Sequence, residues 1–424
     1  MSLPLLLIAI IALFLLRVPM AFAILGPSLV YLVAEDYTLH LAVRLVMQGI
    51  NSWPLLAVPL FILVGTVATR TEIADRLYDA ALLLLGPLRA GLAYVNIAVS
   101  LGFSWMSGAA LADAAGIGSI EVNHMRKKGY PAEFSVGLSA SSALISPIMP
   151  PSIPAVVYAS VAAVSTGALF AAAIIPAMLM TFALIVTVFL WSRRRPDLVG
   201  DPYSWATTRR AVLRALPPIG APIIILGGIL GGFFTPTEAA GIGALYMLLL
   251  ALSYRTMKLR DFALIFRDTA VITSQIMLII GASTLLSWIL AREQVPQTVA
   301  ETLLGLTDNP IVFLLIVNVL LLVCGMLLEP TSALLIITPI LLPVAVQFGV
   351  DPIQLGSIII FNLMIGLLTP PMGGVAFVLS SVTGIPVERV FRGAAFYLPA
   401  MLVVLLLITY VPALTLWLPA AMGL

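Results

Sequence analysis

Charged residues are scarce in this sequence. Asp, Glu, Lys and Arg make up only 9% of the 424 residues, whereas hydrophobic residues make up 61%. Soluble domains usually carry about 25% charged residues, so this chain cannot cover a water-exposed surface. Apolar stretches close to the roughly 20 residues of a helical membrane crossing recur from end to end. We therefore predict an all-α integral membrane protein with many spans, whose surrounding solvent is the lipid bilayer.

Cysteine and histidine are almost absent as well. The one cysteine, Cys324, excludes an internal disulfide framework and a cysteine-based metal cluster. The two histidines, His40 and His124, are far apart in sequence, which leaves little material for a histidine metal centre or a nucleophile–histidine pair. The net charge of +2 does not indicate nucleic-acid binding. We accordingly expect neither an enzyme nor a nucleic-acid partner.

The first residues resemble a signal peptide. An apolar stretch is followed by Ala21-Phe22-Ala23, which has the small-residue pattern of a cleavage site. However, no Lys or Arg precedes the apolar stretch, and Arg17 lies between it and the apparent site. We therefore expect residues 3–16 to remain as the first membrane crossing.

The chain resembles itself at an offset of about 220 residues. Val95-Asn96 matches Val317-Asn318, and Pro150-Pro151 matches Pro370-Pro371. These and further matches occur in one order along the chain, which predicts two related halves, 1–192 and 215–424, joined by a linker at 193–214. In the first half we predict crossings at about 3–16, 18–34, 54–69, 134–164 and 167–192. Because this number is odd, the second half would be inverted relative to the first.

Basic residues test this topology, since Lys and Arg gather on the cytoplasmic side of membrane proteins. If the N-terminus is outside, only Arg44 and Arg292 fall outside among all the Lys and Arg residues. The prediction is therefore that both termini are periplasmic and that the linker is cytoplasmic.

One segment in each half enters and leaves on the same side in this interpretation. Residues 91–124 are rich in Gly and Ser and flanked by Arg89 and Arg126, which predicts a re-entrant hairpin with its tip near Ser107-Gly108. Residues 311–347 form the matching hairpin, with Glu329-Pro330-Thr331-Ser332 at its tip. Backbone that leaves helical geometry at membrane depth must be buried in protein or face a wet cavity. Both tips are therefore candidate sites.

The next segment of each half, at 134–164 and 353–381, is interrupted by consecutive prolines. Proline removes a helix donor and clashes with the preceding turn, so we predict two broken helices. Carbonyl groups freed before each break suit a hard cation such as Na⁺, and N–H groups after it suit a carboxylate. Together the tips and breaks predict a two-part site near the membrane midplane.

Three acidic residues lie within this apolar context, where a charge is expensive. Asp113, beyond the first tip, could contact the substrate, take part in ion coupling or cap a half-helix. Glu238 follows Thr235 at a helix start, and we expect it to be a structural cap. Glu329, at the second tip, could cap a helix or shape the ion site.

Several motifs resemble the large membrane subunit of tripartite ATP-independent periplasmic (TRAP) transporters. The matching stretches are residues 233–240 (FFTPTEAA), Ser107-Gly108, residues 112–118 (ADAAGIG), residues 149–154 (MPPSIP), Glu329-Pro330-Thr331 and Thr338-Pro339. The family often has Ser-Gly-Ser at the first tip, where this chain has Ala109 and therefore one hydroxyl fewer. The length and repeat plan fit the family along the whole chain.

The resemblance implies an elevator-type carrier of the ion transporter superfamily in a bacterial inner membrane. It also implies coupling to two or more Na⁺ ions, a periplasmic substrate-binding protein and a small four-helix membrane subunit, which we expect to be a separate chain. Carried over by motif, one Na⁺ site would involve Ser107, Gly108, Ser146, Pro150 and Ser152, and the other Thr331, Ser332, Gly366, Thr369 and Met372. The predicted substrate contacts are Ser107, Asp113, Ser141, Ser142, Thr331 and Asn362.

Other functions fit the sequence less well. A membrane enzyme such as a lipid-phosphate transferase would need clustered acids for Mg²⁺ or a histidine centre, but the carboxylates here are dispersed. A channel is disfavoured because helix breaks in two inverted halves suit alternating access better than a continuous pore. The main alternative to a TRAP subunit is a stand-alone sodium–dicarboxylate carrier, which needs no binding protein. For the substrate, sialic acid or another sugar acid is favoured over a C4-dicarboxylate, because Asp113 would repel a second carboxylate.

Overall fold

The protein is described here from a computed structural model that covers residues 2–16, 18–198, 200, 204–254 and 259–424. Throughout this part of the chain the regular structure is helical. Seven of its helices are long and apolar enough to cross a membrane, and nine spans result if each of two bent helix pairs counts as one. The prediction of a multi-span helical membrane protein is confirmed.

The chain begins with five helices. They are α1 (Leu3–Leu15), α2 (Met20–Ala34), α3 (Leu39–Ile50), α4 (Ala57–Arg70), preceded by a 3-10 turn at Trp53–Leu56, and α5 (Ile73–Leu85). Helices α1 and α2 occupy the first two predicted crossings but have only 13 and 15 residues. Helix α3 was not predicted; its apolar residues include Ala42 and Leu45, which are buried, and the helix packs against a later long helix.

The predicted first hairpin and first broken helix consist of short pieces. They are α6 (Gly91–Ser107), α7 (Ala110–Asp113), a π-helical turn at Ala114–Gly118, α8 (Ser119–Lys127), α9 (Ala132–Ala143), α10 (Ile145–Ile148) and α11 (Ile153–Ala162). Glycine ends α6, because Gly108 has φ +63°, a left-handed conformation that a residue without Cβ adopts readily. Prolines 150 and 151 separate α10 from α11, and the helices on either side of this break differ in direction by 41°.

Long helices follow the broken helix. They are α12 (Thr166–Ser192), α13 (Trp205–Leu230), α14 (Pro236–Ser253) and α15 (Leu259–Arg292). The predicted linker at 193–214 is therefore too long, since α13 already begins at Trp205. Residues 205–214 include Ala, Arg and Leu, which are strong helix formers, so the helix extends beyond its apolar part. The basic residues Arg17, Arg255 and Lys258, used in the topology prediction, lie outside the described residues.

The remaining helices cover the predicted second hairpin and second broken helix. They are α16 (Val295–Leu306), α17 (Pro310–Leu327), α18 (Pro330–Gln347), α19 (Pro352–Gly366), α20 (Gly374–Thr383), α21 (Val387–Ala395), α22 (Leu398–Tyr410) and α23 (Ala413–Ala421). Both α17 and α18 have 18 residues, so length alone would let either arm cross a membrane. The second break, between α19 and α20, contains Pro370-Pro371.

Helices of the two halves are interleaved. Helix α9 packs on α21, where Gly137 and Gly393 approach so closely that a Cβ on Gly137 would lie 2.3 Å from the carbonyl carbon of Gly393. Helix α11 packs on α18 and α19, and the Tyr158 hydroxyl donates to the Pro352 carbonyl oxygen at 2.6 Å. The first hairpin in turn contacts α20. The segments around both breaks thus share one buried core.

Candidate substrate and ion site

The first tip lies directly on the first break. A Cβ added to Gly108 would lie 2.8 Å from the carbonyl oxygen of Pro151, so only glycine lets the two backbones approach this closely. Helix α10, just before the break, contacts α7, just after the tip. The structure therefore brings together Ser107, Gly108, Ser146 and Pro150, as their common assignment to one site requires.

Asp113 is the most unusual side chain of this region. It is 4% exposed, and neither carboxylate oxygen has a hydrogen-bond partner among the described residues. Its polar neighbours are the hydroxyls of Ser107 and Ser146, and the Ser146 hydroxyl is itself buried and unpartnered. The interpretation of Asp113 as a helix cap is wrong, because a cap accepts hydrogen bonds from backbone N–H groups. Both oxygens are therefore buried without the backbone partners that a cap would have.

Ser152 lies at the end of the first break, directly before α11. Its hydroxyl donates to the Pro147 carbonyl oxygen at 2.5 Å and accepts from the Ala155 N–H at 3.2 Å, so it is the N-cap of α11. This serine is fully buried. A cation at this position would share an oxygen that already has a structural role.

The second tip is built around Glu329. Its carboxylate accepts from the Ser332 N–H at 2.9 Å, the Ser332 hydroxyl at 3.2 Å and the Thr331 hydroxyl at 2.9 Å. Glu329 is therefore the N-cap of α18. Both predicted ligands, Thr331 and Ser332, donate to this carboxylate and keep oxygen lone pairs that a cation could use.

The second break packs on the second hairpin through glycines. A Cβ on Gly366 would lie 2.3 Å from the carbonyl carbon of Gly325. The Met372 N–H donates to the Met326 carbonyl oxygen at 3.3 Å, while the Met372 side chain is exposed. The Thr369 hydroxyl donates to the Ile365 carbonyl oxygen at 2.9 Å, within its own helix. The predicted second-site residues thus lie on two elements that touch.

The remaining predicted substrate contacts have different surroundings. Ser141 is fully buried with an unpartnered hydroxyl. The Ser142 hydroxyl donates to Asn96 Oδ1 at 2.7 Å, and Asn362 Nδ2 donates to Asn318 Oδ1 at 2.5 Å. Ser142 and Asn362 therefore contribute to buried networks between helices, although Asn362 Oδ1 has no partner.

Sequence reasoning missed two polar residues, Asn96 and Glu121. Asn96 Nδ2 donates to Glu121 Oε2 at 2.5 Å and to Ser139 Oγ at 2.6 Å, and all three side chains are buried. The sequence match of Asn96 with Asn318 could have indicated that both asparagines are buried at corresponding positions of the two halves. Glu121 was overlooked because it lies five residues before Arg126, at what looks like a charged helix end.

Glu238 is structural, as predicted. The Thr235 N–H donates to Glu238 Oε2 at 2.8 Å and the Glu238 N–H donates to Thr235 Oγ1 at 3.3 Å, which is a capping box at the start of α14. The role of this carboxylate is to cap its own helix, and it is not one of the predicted site residues.

The polar groups of this region could hold a cation and an anion. Buried hydroxyls, carbonyls freed by prolines and the Asp113 carboxylate are hard oxygen ligands, which suit alkali and alkaline-earth cations. The N-termini of the half-helices after each break offer N–H groups with positive partial charge, which suit a carboxylate.

Comparison with known proteins identifies the family. Residues 7–414 match the family described as "Tripartite ATP-independent periplasmic transporter, DctM component". The chain is 40% identical to the sialic acid TRAP transporter large permease protein SiaM of Vibrio cholerae serotype O1, covering 95% of this chain and 94% of that protein. It is 37% identical to the C4-dicarboxylate TRAP transporter large permease protein DctM of Pseudomonas aeruginosa, covering 94% and 93%.

A solved structure shares the fold. The YdaH transporter of Alcanivorax borkumensis superimposes with a TM-score of 0.58 over 87% of this chain and 85% of that chain, at 15% sequence identity. The family match extends over nearly the whole length, and the buried tips and breaks coincide with the motifs on which the resemblance rests. The chain belongs to the DctM family and is the large membrane subunit of a TRAP transporter.

Proposed function

We propose that this subunit catalyses Na⁺-coupled uptake of a small organic anion across the bacterial inner membrane. The observation that carries the proposal is the unpaired oxygen set between the first tip and the first break. Asp113 and Ser146 are buried there without hydrogen-bond partners. Buried polar groups are rarely left unpaired, so their ligand is the cargo itself.

In this proposal the site has separate positions for two Na⁺ ions and for the carboxylate of the substrate. The first Na⁺ is held by Ser107, Gly108, Ser146, Pro150 and Ser152, and the second by Thr331, Ser332, Gly366, Thr369 and Met372. The substrate carboxylate lies against the N-termini of α11 and α20, the helices that follow the breaks. Both cations offset its charge in the low-dielectric interior.

The proposed substrate is sialic acid or another hydroxylated sugar acid. The support is chemical: Asp113 repels a second carboxylate but accepts hydrogen bonds from hydroxyl groups. The relatives named above are a sialic acid and a C4-dicarboxylate transporter at similar identity, so we retain the C4-dicarboxylate as the second substrate class to be tested.

The proposed mechanism is an elevator movement. The interleaved helices α9 to α11 and α17 to α21 share a core with the hairpins, which supports their moving as one body. The halves are proposed to be inverted repeats, with both termini periplasmic and the segment between α12 and α13 cytoplasmic. A separate small membrane subunit packs on the remaining helices, and a periplasmic binding protein delivers the substrate.

Uptake in proteoliposomes tests the proposal. The chain is reconstituted with its small membrane partner, and uptake of labelled sialic acid or succinate is measured with and without an inward Na⁺ gradient and the cognate binding protein. We expect saturable sialic acid uptake that needs both sodium and the binding protein. Sodium-driven uptake without the binding protein would indicate a stand-alone carrier, and succinate uptake unaffected by sialic acid would overturn the substrate assignment.

A further inference from the structure

Glu121 is a buried carboxyl group that the proposed ion and substrate sites do not use. It is 2% exposed and lies on α8, the last helix of the first hairpin. Asn96 Nδ2 donates to its Oε2 at 2.5 Å, and the Ser139 hydroxyl donates to the same oxygen at 3.4 Å. Its other oxygen, Oε1, is buried without a hydrogen-bond partner.

The π-helical turn at Ala114–Gly118 explains why this carboxyl faces inward. In a regular α-helix, residues eight positions apart differ by about 80° around the axis. A π-turn absorbs one additional residue and reduces this difference to about 20°. Asp113 and Glu121, one on each side of the turn, therefore both point into the protein.

Within the part of the chain that the structure describes, no ion pair offsets the charge that an ionised Glu121 would carry. None of the ion pairs found among the described residues includes it, and the charge that acts on it is that of Asp113. On its own helix the His124 ring nitrogen Nδ1 is bonded to the Tyr78 hydroxyl of α5 at 2.7 Å. The packed faces of α6 and α9 present Asn96, Ser100, Ser139 and Ser142, while Glu133 at the exposed start of α9 pairs with Arg389. Helix α20 contains no titratable residue.

The matching position of the proposed second repeat carries no carboxyl group. At offsets of 220 to 222 residues, Glu121 corresponds to Leu341, Leu342 or Pro343. There, Asn318 is bonded to Asn362 and Thr409, which are both uncharged. Asn318 thus has only uncharged hydrogen-bond partners, whereas its counterpart Asn96 donates to a carboxyl group.

We propose that Glu121 is a proton-binding site that takes up and releases a proton during the transport cycle. The proton is taken from water on one side of the membrane, resides on Oε1 and is returned to water on the other side, with no other bond made or broken. A proton needs no cavity, whereas a metal ion would have to displace the Asn96 and Ser139 donors from this tightly packed carboxyl. The existence of the site is independent of the proposed function; only the consequence, that a proton travels with the organic anion, rests on it.

Infrared spectroscopy of the purified carrier with its small subunit in lipid tests the site without any transport. We expect the C=O stretch of a protonated carboxylic acid to disappear as the pH is raised between about 4 and 10, a range wide enough for a buried glutamate. The Glu121→Gln variant should lack this signal, whereas Glu133→Gln, which removes an exposed carboxylate on the next helix, should retain it. A signal unchanged in Glu121→Gln, or one that never titrates, would overturn the proposal.

A second variant covers the case in which Glu121→Gln does not fold. Ser139→Ala keeps the carboxyl and removes one donor to Oε2, so it should shift the midpoint of the titration; an unshifted midpoint also counts against the site. In proteoliposomes, proton entry with sialic acid should be lost in Glu121→Gln while Na⁺-driven uptake persists. Absence of Na⁺-driven uptake of both sialic acid and succinate in the wild type would instead refute the proposed function and leave the infrared result standing.

Discussion

Each half contains a buried asparagine, and the two asparagines have different hydrogen-bond partners. In the first half, Asn96 is held by Glu121, Ser139 and Ser142, whereas in the second half Asn318 is held by Asn362 and Thr409. The geometry of a buried asparagine between hairpin and broken helix is common to both. Of these two asparagine networks only the first contains a carboxyl group. The difference teaches that similar buried networks can be completed with or without a titratable group.

The two tips differ in a related way. At the second tip the Glu329 carboxylate is occupied by the N–H and hydroxyls of its own helix. At the first tip the chain turns through Gly108, and the nearby Asp113 carboxylate has no such partners. The second tip is stabilised by hydrogen bonds of its own carboxylate, whereas the carboxylate beside the first tip has none among the described residues.

The largest effect is expected from Gly366→Ala. Its Cβ would lie 2.3 Å from the Gly325 carbonyl carbon, so the second hairpin and second break must separate. Overpacking of this kind costs about 1–3 kcal/mol, and more where backbone must move. We expect loss of folded protein and of uptake, measured by thermal unfolding and transport. Gly102→Ala, with no atom within 4 Å of the new Cβ, is the matched control, and equal stability of the two variants would contradict this contact.

Exchanging carboxylates for amides at the two tips should reveal their different roles. Asp113→Asn removes a carboxylate beside Ser107 and Ser146 of the proposed first Na⁺ site. We expect Na⁺ affinity to fall about tenfold or more, since opposite charges a few ångströms apart attract by about 1 kcal/mol in water and by more in a protein interior. Glu329→Gln keeps an acceptor for the Ser332 N–H and should mainly reduce thermal stability. Sodium titration of uptake, together with unfolding, separates the two; an unchanged Na⁺ response in Asp113→Asn would place the ion elsewhere.

Removing the inner asparagines compares the two networks directly. Asn96→Ala and Asn318→Ala each leave buried polar partners unpaired, which costs about 1–3 kcal/mol, and more where a partner is charged. We expect Asn96→Ala to be the more destabilising at high pH, because it removes a donor from the ionised Glu121 carboxylate. The difference between the variants should shrink in acid, where Glu121 is protonated. A difference that is independent of pH would show that the carboxyl does not ionise.

The smallest effect on stability is expected from hydroxyls at the breaks. Ser152→Ala removes the N-cap of α11, worth about 1 kcal/mol, whereas Thr369→Ala removes only a bond within its own helix and should cost less. Both should weaken the dependence of uptake on Na⁺ more than they disturb folding. If both variants retain wild-type Na⁺ activation, the proposed ion sites are misplaced.

The sequence predicted what depends on local chemistry. Consecutive prolines and glycine at a left-handed position act on their own backbone, so the breaks and the turn at Gly108 were visible before any contact was known. The capping box at Thr235 is equally local. The resemblance to the TRAP family, carried by these same segments, is confirmed by the family match.

The sequence could not reveal what depends on lateral contacts. Helices α3, α5 and α16 were missed, because their apolar stripes are interrupted and fall below the length of a span. Glu121 was not singled out, because only its packing against Asn96 and Ser139 shows that it is buried. The start of α13 was misplaced for a related reason, since polar composition was taken to indicate a linker although the residues favour a helix.

The interleaving of the halves also bears on how the protein is made. Phe134 receives a hydrogen bond from Tyr397, and Tyr158 bonds to Pro352, across separations of 263 and 194 residues. Contacts between distant parts of a chain form late, because the closing of a long loop costs entropy before any contact repays it. The first half therefore leaves the ribosome and enters the bilayer with α9 and α11 lacking their partners. The helices beside the first break can therefore complete these contacts only after the second half has been synthesised and inserted.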